Sequence, residues 1–267
     1  MQVAYWICSA MVVISTLAPG AQAPHGAGSL SSKQKATIGK KIWQNECAGS
    51  VPGLTTWNTG EEFPSLGIGH FIWYPAGFQG RFSESWPHFV DFARKQAVPV
   101  PAIAREPHSP WKSRSEFQND FQGVRMSELR KWLSENVALQ TDFIIERSRE
   151  ALPKILAAAP ASEKKRIEAN YYKVSSTPHG TYALVDYVNF KGDGTQVSVR
   201  YQGYGWGLLQ VLGGMKQVAS GNAAAAEFAA SAKRILSRRI ANSPAARGES
   251  RWIEGWHHRC ETYAKSI

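Results

Sequence analysis

The tract Trp57-Asn58-Thr59-Gly60-Glu61-Glu62-Phe63-Pro64-Ser65-Leu66-Gly67-Ile68-Gly69-His70, with Glu46 a short way upstream, decides how this chain is read. Residues 31–46 predict a helix, with Ser31 or Ser32 as N-cap and Leu30, Ile38, Ile42 and Trp43 as its apolar stripe, so Glu46 falls at the C-terminal end. Turn signals at Val51-Pro52-Gly53, Asn58-Thr59-Gly60 and Phe63-Pro64 then predict a short β-hairpin running into residues 65–74. A carboxyl at a helix end beside a glycine-rich turn suits glycosidic bond cleavage. That chemistry needs a protonated acid near the leaving oxygen and a second polar group or water across the sugar.

Ser65-Leu66-Gly67-Ile68-Gly69-His70 is similar to the Thr-Ile-Gly-Ile-Gly-His segment of phage-type lysozymes. The resemblance implies a lysozyme-like α+β fold, mainly helical with a small β-hairpin. It places Glu46 as the catalytic acid and Ser65 at the position of a threonine. Where the family carries an aspartate, the hairpin here is a few residues longer and offers Glu61 or Glu62. His70 enters as a packing, hydrogen-bonding and substrate-side residue. A looser resemblance joins Gly203-Tyr204-Gly205-Trp206-Gly207-Leu208-Leu209-Gln210 to the Gly-Leu-Met-Gln element of goose-type lysozymes and lytic transglycosylases, which makes Gln210 a substrate hydrogen-bonding candidate.

Trp73, Tyr74, Tyr204 and Trp206 are candidate stacking platforms for sugar faces, with core packing as the alternative. Asp186 and Asn189 are polar residues in an apolar segment, read either as structural anchors or as a second carboxylate region facing Glu46. No His-x-x-x-His or paired Cys spacing supports zinc, and His257-His258 are adjacent rather than helix-spaced, so no metal or cofactor is expected.

Residues 1–23 hold an apolar run from Val3 to Leu17, then Pro19-Gly20 and Ala21-Gln22-Ala23. They read as a secretory signal peptide cleaved after Ala23, without a charged n-region and too short for a membrane span. Residues 24–267 then form one domain, secreted or periplasmic and expected to be a monomer. Cys8 leaves with the signal. Cys47 and Cys260 remain, either as a disulfide contributing about 4–5 kcal/mol in the chain-entropy model or as two buried thiols. A formal charge of +10 draws a secreted protein to anionic polymers such as peptidoglycan, while export argues against nucleic acid and the charge argues against cationic chitosan.

Further along, helices are predicted over 84–95, 127–138 with Ser127 as N-cap, 139–158, 162–172, 206–218 and 223–241, with a last segment over 249–265. Gly180 reads as a break, and residues 182–190 fit either a buried helix or a strand. Pro99, Pro101, Pro107 and Pro110 predict an extended loop bordering the groove. The expected function is cleavage of peptidoglycan glycan strands by a muramidase or lytic transglycosylase. The alternative is a non-catalytic cell-wall-binding or scaffold protein that keeps the fold.

Overall fold

A computed structural model describes residues 30–80 and 82–267. The expected signal peptide and Cys8 lie outside these residues. The described chain is mainly helical with one small antiparallel sheet, which agrees with an α+β class.

Helix α1 (Ser32–Cys47) begins on a capping box: the Ser31 hydroxyl accepts from the Gln34 amide at 3.2 Å, and the Gln34 side chain accepts from the Ser31 amide at 2.8 Å. It ends where Ala48 and Gly49 both turn left-handed. Gly39 lets it lie against helix α5 (Val137–Ala158), since a Cβ there would meet the Thr141 hydroxyl at 2.1 Å.

The expected hairpin is a three-stranded sheet of two-residue strands, β1 (Thr55–Thr56), β2 (Ser65–Leu66) and β3 (Phe71–Ile72), in the order β1-β2-β3. Leu66 pairs with Thr55 on one side and Phe71 on the other. The turn from β2 to β3 is the Gly67-Ile68-Gly69-His70 segment. Gly67 has φ 72°, and a Cβ on it would sit 2.3 Å from the Gln140 side-chain oxygen. That oxygen accepts from the Ile68 amide at 2.9 Å while the Gln140 amide donates to the Leu133 carbonyl, so α5 pins the turn in place.

Helix α2 (Trp86–Lys95) packs Phe89 between Phe71 and Phe143. After the short α3 (Arg114–Asn119) comes α4 (Val124–Glu135), which starts at Gly123 rather than Ser127. The Ser127 amide is already in the first turn, bonded to the Gly123 carbonyl, and only glycine fits 123 against the Asp120 carboxylate. The proline-containing loop does not border the cavity described below; its backbone turns once, in a 3-10 segment at Ile103–Arg105.

Helices α6 (Lys164–Ser175) and α7 (Pro178–Lys191) meet at a tight corner. Gly180 does not break a helix there. It belongs to the first turn of α7, its amide capped by Thr177, and a Cβ would strike the Val174 carbonyl. Residues 182–190 are therefore helix, buried almost throughout from His179 to Val188, and α7 runs through the middle of the molecule against α1, α5, α6 and α9. Helix α8 (Leu208–Gly213) is shorter than expected because Gly213-Gly214 end it. Helix α9 (Asn222–Asn242) and helix α10 (Ile253–Glu261), the latter flanked by 3-10 turns, close the structure over α7. One apolar cluster extends from Ile38 to Tyr263. No helix among the described residues is long and apolar enough to cross a membrane.

The disulfide is not formed. Cys47 and Cys260 are both buried free thiols. Cys47 donates to the Gly67 carbonyl at 3.5 Å under the sheet, and Cys260 sits among Asp186, Lys191 and Lys233. Burial pushes each thiol up to about 12.

Candidate functional site

Glu46 stands in the last turn of α1, with its side chain 14% exposed. One oxygen accepts from Arg259 Nη2 at 2.7 Å and from Asn189 Nδ2 at 3.3 Å, and the other lies 3.5 Å from His70 Nδ1. The helix end, the glycine-rich turn, α7 and α10 thus converge on one carboxylate. Burial works to raise its pKa, but the charges of Arg259 and His70, the Arg259 hydrogen bond and Lys191 outweigh it, and the net shift is downward. Glu46 is held as a carboxylate. The acid role implied by the lysozyme resemblance needs a proton that this environment disfavours.

Behind Arg259 stands Asp186, fully buried on α7. Arg259 donates to both of its oxygens at 2.8 Å, Tyr263 donates at 2.6 Å, and Asn45 donates at 3.3 Å. Asp186 is accordingly the anchor of the arginine, and Asn189, one turn later, contacts Glu46 itself.

Glu61 lies half-buried between β1 and β2. Its carbonyl accepts from Trp57 Nε1 at 2.7 Å and its carboxylate from Asn58 at 3.0 Å. Burial raises its pKa, against a smaller pull from Asn58 and His70. His70 therefore lies within electrostatic reach of two carboxyls whose pKa values are displaced in opposite directions. Glu62 is exposed.

His70 and Asn189 open onto a cavity of about 450 Å³ whose lining also includes Arg147, Lys191, Trp206 and Arg239. Its floor is a tight backbone contact. The Leu208 and Leu209 amides donate to the Gly192 and Asp193 carbonyls, and a Cβ on Gly207 would lie 2.3 Å from the Gly194 nitrogen.

The remaining expected residues fall in different places. Gln210 braces this floor, accepting from the Gly207 amide at 2.9 Å and donating to the Gly194 carbonyl at 3.1 Å, so its amide is committed to the fold rather than free for a sugar. Trp206 does line the cavity, buried, with the Arg239 guanidinium 4.2 Å from its ring. Trp73 is fully buried against Trp86 and Trp111, and Tyr74 packs against Phe63 and donates to the Phe82 carbonyl. Neither is a stacking platform; both belong to the core under the sheet. Tyr204 is 53% exposed, with Arg238 over its ring, outside the cavity wall. Ser65 is buried in β2, paired along the backbone with Thr56 and Ile72, and does not line the cavity.

Arg259 and Lys191 escaped the sequence reading. The traceable signal was on the partner, since a buried Asp186 demands a cation. Among the described residues no group of three or more His, Cys, Asp or Glu is arranged to hold a metal ion. Comparison of the chain with protein-family models, with curated proteins and with solved structures gave no match.

Proposed function

We propose that this protein is an exported enzyme that cleaves the glycan strands of peptidoglycan, with Glu46 and Glu61, the two carboxyls within electrostatic reach of His70, as its working pair. The observation that carries the reading is that two residues lining the cavity, His70 and Asn189, both reach the Glu46 carboxylate, at 3.5 and 3.3 Å, while Glu46 itself stands outside the lining. Most glycoside hydrolases use one carboxyl that holds its proton and one that does not. Burial suits Glu61 to the first task, donating to the leaving oxygen, and Arg259 suits Glu46 to the second, as the ionised group that stabilises positive charge at the sugar or orients water. The acid and the carboxylate thereby exchange the positions that the lysozyme resemblance implies.

A second reading is a cell-wall-binding protein without turnover. The observation that favours it is the full commitment of Glu46 to Arg259, Asn189 and His70, the pattern of a structural ion network.

The two readings separate when wild type, Glu46→Gln and Glu61→Gln are incubated with purified peptidoglycan and the released sugar ends are identified by mass spectrometry. Reducing ends from wild type alone identify a muramidase, and anhydro ends a transglycosylase. Binding without release by wild type supports the second reading and overturns the first.

A further inference from the structure

Lys191, the last residue of α7, differs from the other cations around the cavity. Arg239 is held by Glu249 through two hydrogen bonds of 2.8 and 3.0 Å, and Arg259 by Asp186 and Glu46. Lys191 has no hydrogen-bonding or ion-paired acceptor among the described residues. Its Nζ is instead held between two ring faces, 3.8 Å from the Phe190 centroid and 3.6 Å from that of Trp256. Ring faces fix an ammonium in place without consuming its N–H bonds. Those donors stay available to whatever enters the cavity that Lys191 lines.

A second cation points the same way. Arg147, from α5, lines the same cavity with its guanidinium 5.7 Å from the Phe143 ring and no hydrogen-bonded carboxylate among the described residues. Of the lining cations, Arg239 is paired with Glu249 and Lys154 lies 3.8 Å from Glu150, which leaves Arg147 and Lys191 with Asp193 as the remaining lining carboxylate. The cavity is short of negative charge, and a neutral sugar does not supply it.

Resting on the glycan-cleaving reading, we infer that Lys191 is the subsite for a carboxylate borne by the glycan, either on the sugar's lactyl ether or on an attached peptide, with Arg147 as a further cation lining the same cavity. A glycan bearing that carboxylate is thereby preferred over a neutral N-acetylglucosamine polymer. Burial and the charges of Arg239 and Arg259 hold the Lys191 pKa well below the ordinary lysine value, with Glu46 and Glu249 pulling the other way, so the amine gives up its proton more readily than a free lysine and a bound carboxylate would favour the ammonium form.

The test is calorimetric titration of the full protein with three probes. These are N-acetylglucosaminyl-N-acetylmuramic acid, the same disaccharide with L-Ala-D-Glu on its lactyl group, and di-N-acetylchitobiose, which lacks the lactyl carboxylate. Wild type is expected to bind at least one carboxylate-bearing probe about tenfold more tightly than chitobiose, as one charge-assisted hydrogen bond predicts. Which of the two binds more tightly tells whether the carboxylate sits on the sugar or on the peptide. Lys191→Met is expected to abolish the preference while leaving chitobiose affinity within about twofold, and Lys191→Arg to retain most of it. A preference that survives Lys191→Met overturns the assignment. Equal affinities of wild type for all three probes overturn it too while leaving glycan recognition standing, whereas binding of none overturns both it and the proposed function.

Discussion

Asp186 of α7 and Arg259 of α10 share two hydrogen bonds of 2.8 Å, with the carboxylate fully buried and the arginine nearly so. Asp186→Asn leaves that guanidinium with Glu46 alone and removes the acceptor of the Tyr263 hydroxyl bond at full charge. Breaking one side of a buried pair costs about 3–5 kcal/mol. Urea denaturation is expected to show a loss of that size. A change under about 1 kcal/mol would mean the network is held by packing instead.

The carboxyl pair predicts a bell-shaped pH dependence of glycan cleavage. The acidic limb reports Glu46 losing its charge and lies below the ordinary glutamate range; the alkaline limb reports Glu61 losing its proton and lies above it. Glu61→Gln is expected to lower kcat by roughly 10²–10⁴-fold and to remove the alkaline limb. Survival of that limb in the variant assigns the acid elsewhere.

Glu249, fully buried, accepts from Arg239, Arg247 and Tyr201, which together overcome burial and lower its pKa to about 2. A depressed carboxyl contributes stability that is complete above its unfolded value and lost as pH falls through the folded one. The gap in urea midpoint between wild type and Glu249→Gln is thus widest at neutral pH, worth about 3 kcal/mol, and closes as pH drops from 4.5 toward 2. A gap independent of pH would show that the charge plays no part.

Both thiols are expected to be unreactive in the native state, since burial keeps them protonated with pKa values near 12. Alkylation in denaturant without reductant should label Cys47 and Cys260 alike, as read by peptide mass. Labelling that needs prior reduction would show that the pair oxidises.

Gly67→Ala tests the turn that carries His70. The position has φ 72°, and the new methyl meets the Gln140 oxygen that holds the Ile68 amide. A loss of about 1–3 kcal/mol is expected in urea denaturation, with His70 displaced and cleavage reduced.

What could be read from the sequence was local. The serines at 31–32 announce the start of α1, and the glycines of 67–70 announce a turn, because each acts on neighbours a few residues away. Where one residue's role depends on a distant surface, the reading failed or stayed open. Gly180 looked like a helix breaker because nothing nearby says that Val174 will approach it, and Trp73 looked like a sugar platform because its covers, Trp86 and Trp111, come from later elements. Asp186 and Asn189 stood out as polar residues in an apolar stretch, which located one wall of the site. Their cation lies on another helix, and no local pattern points to it.

Glu46 and its arginine are separated by 213 positions in the chain. A polypeptide made from its N-terminus presents the first helix and the glycine-rich turn long before the residue that neutralises that carboxylate exists. Until α10 docks, Glu46 has Asn189, His70 and the more distant charge of Lys191 but no arginine, and Asp186 lacks the guanidinium that pairs with it. The centre of the site is therefore the last part of the molecule to become electrostatically whole, so a chain shortened before residue 259 loses the charge state of Glu46 together with its final helix.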